Sequence, residues 1–508
     1  MKEYYEPREN YALFGGMCLL YGVFFTFCLY RNVAGITFPL YVLATIVFAV
    51  YVLRRLATQK KAVGGRIKLK KGTIPYFAGM MVLGVANACT TNGFFLLFDW
   101  IGMALLFVVA MVHQFYDDNA WNFQEYFKRL VVLFFSSLGS IFAPVVHGSH
   151  YLKGKENSND KKVIYVILGL GIAFAALCII FPLLLSSDLI FQNVFARMFQ
   201  RIDVVSIIMM LLMVIAGTVV SYAFLCGLCK RNLQNRGAVK EYQINAIVGV
   251  TFTAVIASIY ILYSGIQVLY LFMGMENGLP QGVTYSQYAH SGFWQLLFVS
   301  ILNFFMVLGC KKLFAENKIL NGILTAISLC TFVMISSAMY RMVLYVQEYY
   351  LTFLRLLVLW FLVVLIFIMA GTVLSIYRKG FPLFRYSMII VAGFYMVLSL
   401  ARPDYQIAKY NVAHDSAITV ADLEYLIYNL SDDAAPVVAG IDSRKVVQGD
   451  TDIAEYTIYG EQYALHDAKT LMDDYFYAIN QKYEDSYFRK ANFSKWRARE
   501  AAEKYLGS

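Results

Sequence analysis

Charge is scarce in this chain. Asp, Glu, Lys and Arg together make up 15% of its 508 residues, against about 25% in an ordinary soluble protein. With 59% hydrophobic residues, a water-soluble globule of this length is excluded. Cysteine is absent after Cys330, so no disulfide can staple the C-terminal region. The opening MKEYYEPREN lacks the basic n-region and small-residue cleavage site of a signal peptide. The first span is therefore expected to stay in the mature protein. There is no phosphate-binding P-loop, dinucleotide fingerprint or Gly-x-Ser-x-Gly elbow. Cys226-Gly-Leu-Cys229 has no second CxxC, and His147-Gly-Ser-His150 lacks the Glu of a zincin motif. No metal and no cofactor is expected, and no catalytic residue is assigned; an enzyme is the weaker reading.

What is present is apolar length. Candidate spans are Ala12–Tyr30, Ile36–Leu53, Ile74–Cys89, Phe94–Val112, Val163–Leu185, Val204–Leu225, Ile244–Phe272, Phe293–Cys310, Ile319–Met339, Leu356–Tyr377 and Tyr386–Leu400. Each approaches or exceeds the length that crosses about 30 Å of hydrocarbon as a helix. The fold class is all-α, a polytopic helical membrane bundle of eleven spans, with a small C-terminal helical domain outside the membrane. A twelfth candidate, Leu130–Val146, is interrupted by Ser, Gly and Pro.

Basic residues set the sides. Eight fall in Arg54–Lys71, four in Lys153–Lys162, four in Lys230–Lys240, three in Lys311–Lys318 and three in Arg378–Arg385, whereas Gly274–Ser291 has none. These loops share the cytoplasmic side only if an even number of spans lies between Lys71 and Lys153. Of the three hydrophobic stretches there, Leu130–Val146 is the weakest and is read as re-entrant, with twelve spans and an inverted N-terminal pair as the alternative. The expected topology has a cytoplasmic N-terminus and an extracytoplasmic tail, in a bacterial plasma membrane. Three regions follow: residues 1–162 with four spans and the re-entrant segment, residues 163–402 with seven spans, and residues 403–508. The tail from Pro403 carries 18 acidic and 11 basic residues, and the rest carries 15 and 32. Because those bases sit in short loops, nucleic acid is not an expected partner. The lipid bilayer is, together with a membrane or envelope protein. Two polar stretches, Ser186–Asp203 and Asn119–Arg129, read as surface helices on opposite sides.

Three constellations bear chemistry. In GLPQGVTYSQYAHSGFW (Gly278–Trp294), Thr284 and Gln287 have capping-box spacing, and His290 lies in the helix they would open. In SAMYRMVLYVQEYYLTFLRLL (Ser337–Leu357), Arg341, Tyr345, Glu348, Thr352 and Arg355 follow at spacings of 4, 3, 4 and 3. That places all five on one helical face. They form either an Arg341–Glu348–Arg355 ladder or a contact for a ligand or ion. Asp99 is an acid inside an apolar span, a functional candidate by default and equally an acid in the outer turn of its helix. In the tail, Leu423, Leu426, Ile427 and Leu430 share one helical face, and the stretch after Tyr475 reads as one or two further helices.

Several segments taken together resemble a known family. They are LLLSSDLIF (Leu183–Phe191), the Gly278–Leu297 and Ser337–Leu356 stretches, RPDYQIAKYNV (Arg402–Val412), DLEYLIYNLSDDAAPVV (Asp422–Val438) and FRKANFSKWRAR (Phe488–Arg499). In this order the chain resembles the bacterial multi-pass membrane proteins of domain-of-unknown-function families 4153 and 4173, from roughly Val163 to the end. The resemblance implies that relatives usually have a basic residue where this chain has His290, and a glycine where it has Tyr350. The resemblance implies no activity. In the expected topology its motifs fall on the outer face, so Asp188, Glu276, His290, Arg341, Tyr345, Glu348, Thr352, Arg355, Arg402 and Asp404 are read as one polar layer under the tail, binding or structural. The favoured function is an extracytoplasmic-face sensor or scaffold whose polar layer seats the tail. A transporter or flippase-like protein for a small or lipidic substrate is the alternative, and an enzyme modifying envelope lipids is the weaker one.

Overall fold

The computed structural model describes residues 7–59, 69–116, 121, 123–153, single positions between 169 and 187, 204–229, 244–269, 285–378, 380–414, 417–447, 457–458, 461–462, 467–484 and 488–507. The architecture is an all-α membrane bundle. The helices are α1 (Tyr11–Leu29), α2 (Thr37–Gln59), α3 (Ile74–Asn87), α4 (Gly93–Phe115), α5 (Phe123–Leu138), α6 (Ala143–Lys153), α7 (Val204–Cys229), α8 (Ala246–Gln267) and α9 (Tyr285–Leu313). They continue with α10 (Lys318–Tyr349), α11 (Phe353–Tyr377), α12 (Leu383–Leu400), α13 (Pro403–His414), α14 (Val420–Glu424), α15 (Ala435–Val438), α16 (Ala468–Glu484) and α17 (Phe493–Leu506). Among the described residues nine helices are long and apolar enough to cross a bilayer, or up to ten if the bent pair α5–α6 forms one span.

Nine of the expected spans appear as such helices. The expected Ile74–Cys89 span is a helix of only 14 residues, α3, about 21 Å long at 1.5 Å per residue. Most of Val163–Leu185 lies outside the described residues, as does the expected surface helix after Ser186. The stretch Asn119–Arg129 is not a separate surface helix: its second half opens α5, which runs on through Leu130 to Leu138. Starts are set by side-chain caps. Asn245 accepts from the Ile247 N–H at 3.0 Å, and Asn317 from that of Ile319 at 2.7 Å. Each satisfies one of the donors a helix start leaves open.

The chain divides into two compact units, described separately. The first comprises Met1–Val85, Met103–Asn235 and Phe488–Lys490. Its closest helix pair is α1 against α7. A Cβ on Gly22 would lie 2.5 Å from the Thr218 hydroxyl and 2.6 Å from the Val214 carbonyl, and one on Gly217 would lie 3.1 Å from the Gly22 Cα. In lipid, such close backbone approach replaces the hydrophobic drive that water would supply. The α1–α2 connector holds the chain at Arg489. Asn32 donates to the Arg489 carbonyl at 2.9 Å, and the Arg489 guanidinium donates to the Tyr30 carbonyl at 2.9 Å and that of Phe27 at 3.2 Å. A cation thus caps the C-terminal end of α1. Helices α5 and α6 bend by 52°. Tyr116, just after α4, donates to the Leu228 carbonyl at 2.6 Å. Ser137 closes on Gly227, and His147 of α6 bonds the Tyr222 hydroxyl at 2.9 Å.

The second unit comprises Ala86–Gly102, Arg236–Tyr487 and Ala491–Ser508. Phe293, Leu296, Met334, Ile335, Leu362 and Met369 form a core between α9, α10 and α11. Inside it, Tyr260 donates to Asn303 at 2.9 Å, and Asn303 donates to Thr331 at 2.9 Å. A second core joins Ile407, Leu423, Leu426, Met472, Phe476 and Ala502, and Leu351, Phe353 and Leu356 at the start of α11 pack on it. The expected apolar face is present: Leu423, Leu426, Ile427 and Leu430 are all buried. The helix carrying the first three passes from α to π geometry at Tyr425–Asn429, and Leu430 follows it as an extended C-cap. The stretch after Tyr475 holds the later part of α16 and all of α17.

Candidate functional site

The five-residue stripe from Arg341 to Arg355 is not one helical face. Helix α10 ends at Tyr349, and α11 starts at Phe353. Arg341 is buried on α10, Tyr345 is half-buried and Glu348 is exposed. Thr352 caps α11, its hydroxyl accepting from the Arg355 N–H at 3.4 Å. Arg355 therefore points back across a break. Its guanidinium lies 4.2 Å from the Tyr345 ring centroid and donates to the Tyr349 and Tyr350 carbonyls. Arg355 serves two orphan carbonyls at a helix end and a ring face, rather than a ladder with Glu348.

The break is held from the tail. Asn411 of α13 accepts from the Leu351 N–H at 2.9 Å and donates to its carbonyl at 3.0 Å. Tyr349, Tyr350, Thr352, Asn411, Asp422 and Tyr425 line a small cleft at this point. Tyr350 itself has φ 61° and ψ 174°, a region that essentially only glycine enters without strain. Tyr350→Gly is expected to raise stability by about 1–2 kcal/mol, read as a higher thermal midpoint in detergent. A lower midpoint would mean that the tyrosine side chain holds the break.

A denser polar cluster lies at the connector between α3 and α4, Ala88–Asn92. Asp433 is buried and accepts from the Thr90 hydroxyl at 2.8 Å, the Thr91 N–H at 3.0 Å and the Thr91 hydroxyl at 2.7 Å. Ser494 of α17 donates to the same carboxylate. Asp404, also buried, accepts from the Asn92 amide at 2.8 Å and the Ser431 N–H at 3.0 Å. Burial pushes the Asp404 carboxyl above the usual carboxylate range; Ser431 and Asn92 pull it back, and nearby Asp433 pushes it further up. Arg402 has φ 52°, donates to the Ser494 hydroxyl at 3.0 Å and lies over the Tyr405 ring at 5.3 Å. Asn492 caps α17 and donates to the Thr90 carbonyl at 3.1 Å. Both hydroxyls of the Thr90–Thr91 turn and the Thr91 N–H thus meet one carboxylate of the tail, as buried polar groups require.

Asp99, about two helical turns into α4, is fully buried. It accepts from the Tyr395 hydroxyl at 2.9 Å and the Ser399 hydroxyl at 3.0 Å, both on α12. The intramembrane acid is a tie between two spans, of the kind that polar side chains make across helices in lipid.

A family model described as a domain of unknown function, DUF4153, matches residues 77–441. The chain belongs to the DUF4153 family. No curated protein and no solved structure matches it. The DUF4153 match begins well before Val163, where the resemblance was expected to start, and ends before the Phe488–Arg499 segment. It includes Thr90, Asp99, Arg341, Arg355, Asp404 and Asp433, whereas Asn492 and Ser494 lie beyond it.

Of the expected polar layer, the structure brings Arg402 and Asp404 into one cluster, and sets Tyr345, Thr352 and Arg355 at the break. Asp188, Glu276 and Thr284 lie outside the described residues. Gln287 and His290 fall in the first turns of α9, with their side chains outside the described set. Asp433, Thr90, Thr91, Asn92, Asn411, Asn492 and Ser494 were not read as site residues. Their signal is local and weak: TTNG between two apolar runs, and the double acid of SDDAAP.

Proposed function

We propose that this DUF4153 protein is a membrane scaffold or sensor in which the region after Pro403 is latched onto the ends of its own spans. One observation carries this reading: the buried Asp433 carboxylate gathers donors from the α3–α4 connector and from α17. The Asn411 clamp on the α10–α11 break and the Asp404–Asn92 contact support it. All three involve span ends on the side that the Lys/Arg bias makes extracytoplasmic. Asp99, tied to Tyr395 and Ser399, belongs to the packing of the spans rather than to a path. In this reading a ligand or partner acts by loosening or tightening the latch. Any such signal must favour one of the two states by its own binding energy.

The eleven-span topology belongs to the same proposal. Residues on both sides of the α5–α6 bend touch the last two turns of α7, through Gly227 and Tyr222, which supports a segment that re-enters rather than crosses. Cysteine labelling of the full chain in intact cells tests the sidedness. A membrane-impermeant maleimide should label Ser443→Cys and leave Ser158→Cys unlabelled until the membrane is opened. Labelling of Ser158→Cys from outside would overturn the topology.

A further inference from the structure

We propose that the first turn of α17 is a membrane-surface anchor, with Phe493 and Trp496 seated in the phospholipid headgroup region and Arg497 on lipid phosphate. Two independent sets of contacts hold this turn beside the ends of two spans. The Phe493 N–H donates to the Ala88 carbonyl at 3.1 Å, and Asn492 donates to the Thr90 carbonyl at 3.1 Å. These carbonyls immediately precede Gly93, where a 23-residue apolar span begins. From the other side, Arg402 lies 5.6 Å from the Phe493 ring centroid, and Arg402 follows by two residues the span that ends at Leu400. Phe493 therefore stands where two spans leave the hydrocarbon.

At that level the turn exposes aromatic surface. Trp496 is 61% and Phe493 47% exposed, while Ser494, Ala498, Ala501 and Ala502 form the buried face. Positions 493, 496 and 497 share the opposite face by the helical period. The Arg497 guanidinium lies 5.6 Å from the Phe493 centroid, so the exposed rings carry a cation beside them. Aromatic rings with an adjacent base, held at the end of a span, are the side chains that partition into the interface. Phospholipid is the occupant that this position and this charge both fit.

The test uses the full-length protein in nanodiscs of phosphatidylcholine and phosphatidylglycerol. Tryptophan emission of the wild type minus that of Trp496→Phe isolates Trp496. Lipids brominated near the headgroup end of the chain should reduce this difference by about twofold or more, and aqueous iodide should leave it nearly unchanged. Quenching by iodide and not by brominated lipid would place the turn in water and overturn the proposal. Protection from both quenchers would mean that protein, such as a second copy of the chain, covers the ring, and would overturn it equally. Arg497→Glu should weaken the bromolipid quenching; unchanged quenching would remove the phosphate contact from the proposal.

Discussion

Asp433→Ala is expected to release the tail. The substitution deletes an acceptor shared by Thr90, Thr91 and Ser494 and leaves their donors in a buried site. Hydrogen bonds to a charged group contribute about 1.5–3 kcal/mol each, and they do not add in full when they share one group. A loss on the order of 4 kcal/mol follows. Because the contact is confined to the latch, the loss should fall on the tail first and the spans second. Limited proteolysis of the protein in nanodiscs should cut the variant after Pro403 much faster than the wild type. Asp433→Asn keeps one acceptor oxygen and should fall between the two. Equal cutting of Asp433→Ala and wild type would show that the cluster does not hold the tail.

The second large effect is expected at Gly22→Leu. The α1–α7 crossing leaves no volume at Gly22: an added Cβ meets the Val214 carbonyl at 2.6 Å and the Thr218 hydroxyl at 2.5 Å. Thr218 is itself bonded to that carbonyl at 2.7 Å, so neither atom yields without moving α7. Overpacking a tight core costs about 1–3 kcal/mol, and more where backbone must shift. Here the whole helix pair must separate, so the upper end or beyond is expected. Thermal aggregation in detergent measures it, with Gly16→Leu as the control, since nothing lies within 4 Å of a Cβ there. If both variants melt alike, the crossing is not where α1 is held.

The spans were legible because their signal is local: an apolar run of sufficient length has few alternatives in a membrane. So was the apolar face at Leu423, Leu426, Ile427 and Leu430, although the change to π geometry within it leaves no mark in the spacing. The break at Tyr350 was hidden for a different reason. Spacings of 4, 3, 4 and 3 run through it without interruption, and no proline or glycine marks it. Only a clash between one residue and its backbone conformation betrays it, and a sequence does not display backbone conformation. Arg402 and Asp404 were found because charged residues at a span end require partners. Those partners were not found, because Thr90 and Asp433 lie more than 300 residues apart and each resembles an ordinary turn residue where it stands.

The proposed latch joins the tail to the α3–α4 connector through Asp433. Hydrogen exchange at the Thr91 amide, which donates to Asp433 at 3.0 Å, tests it most directly. In the full-length protein in nanodiscs, slow exchange at Thr91 is predicted for the wild type and fast exchange for Asp433→Ala, with the amides inside α4 unchanged. Fast exchange at Thr91 in the wild type, or equal protection in both proteins, would contradict the latch.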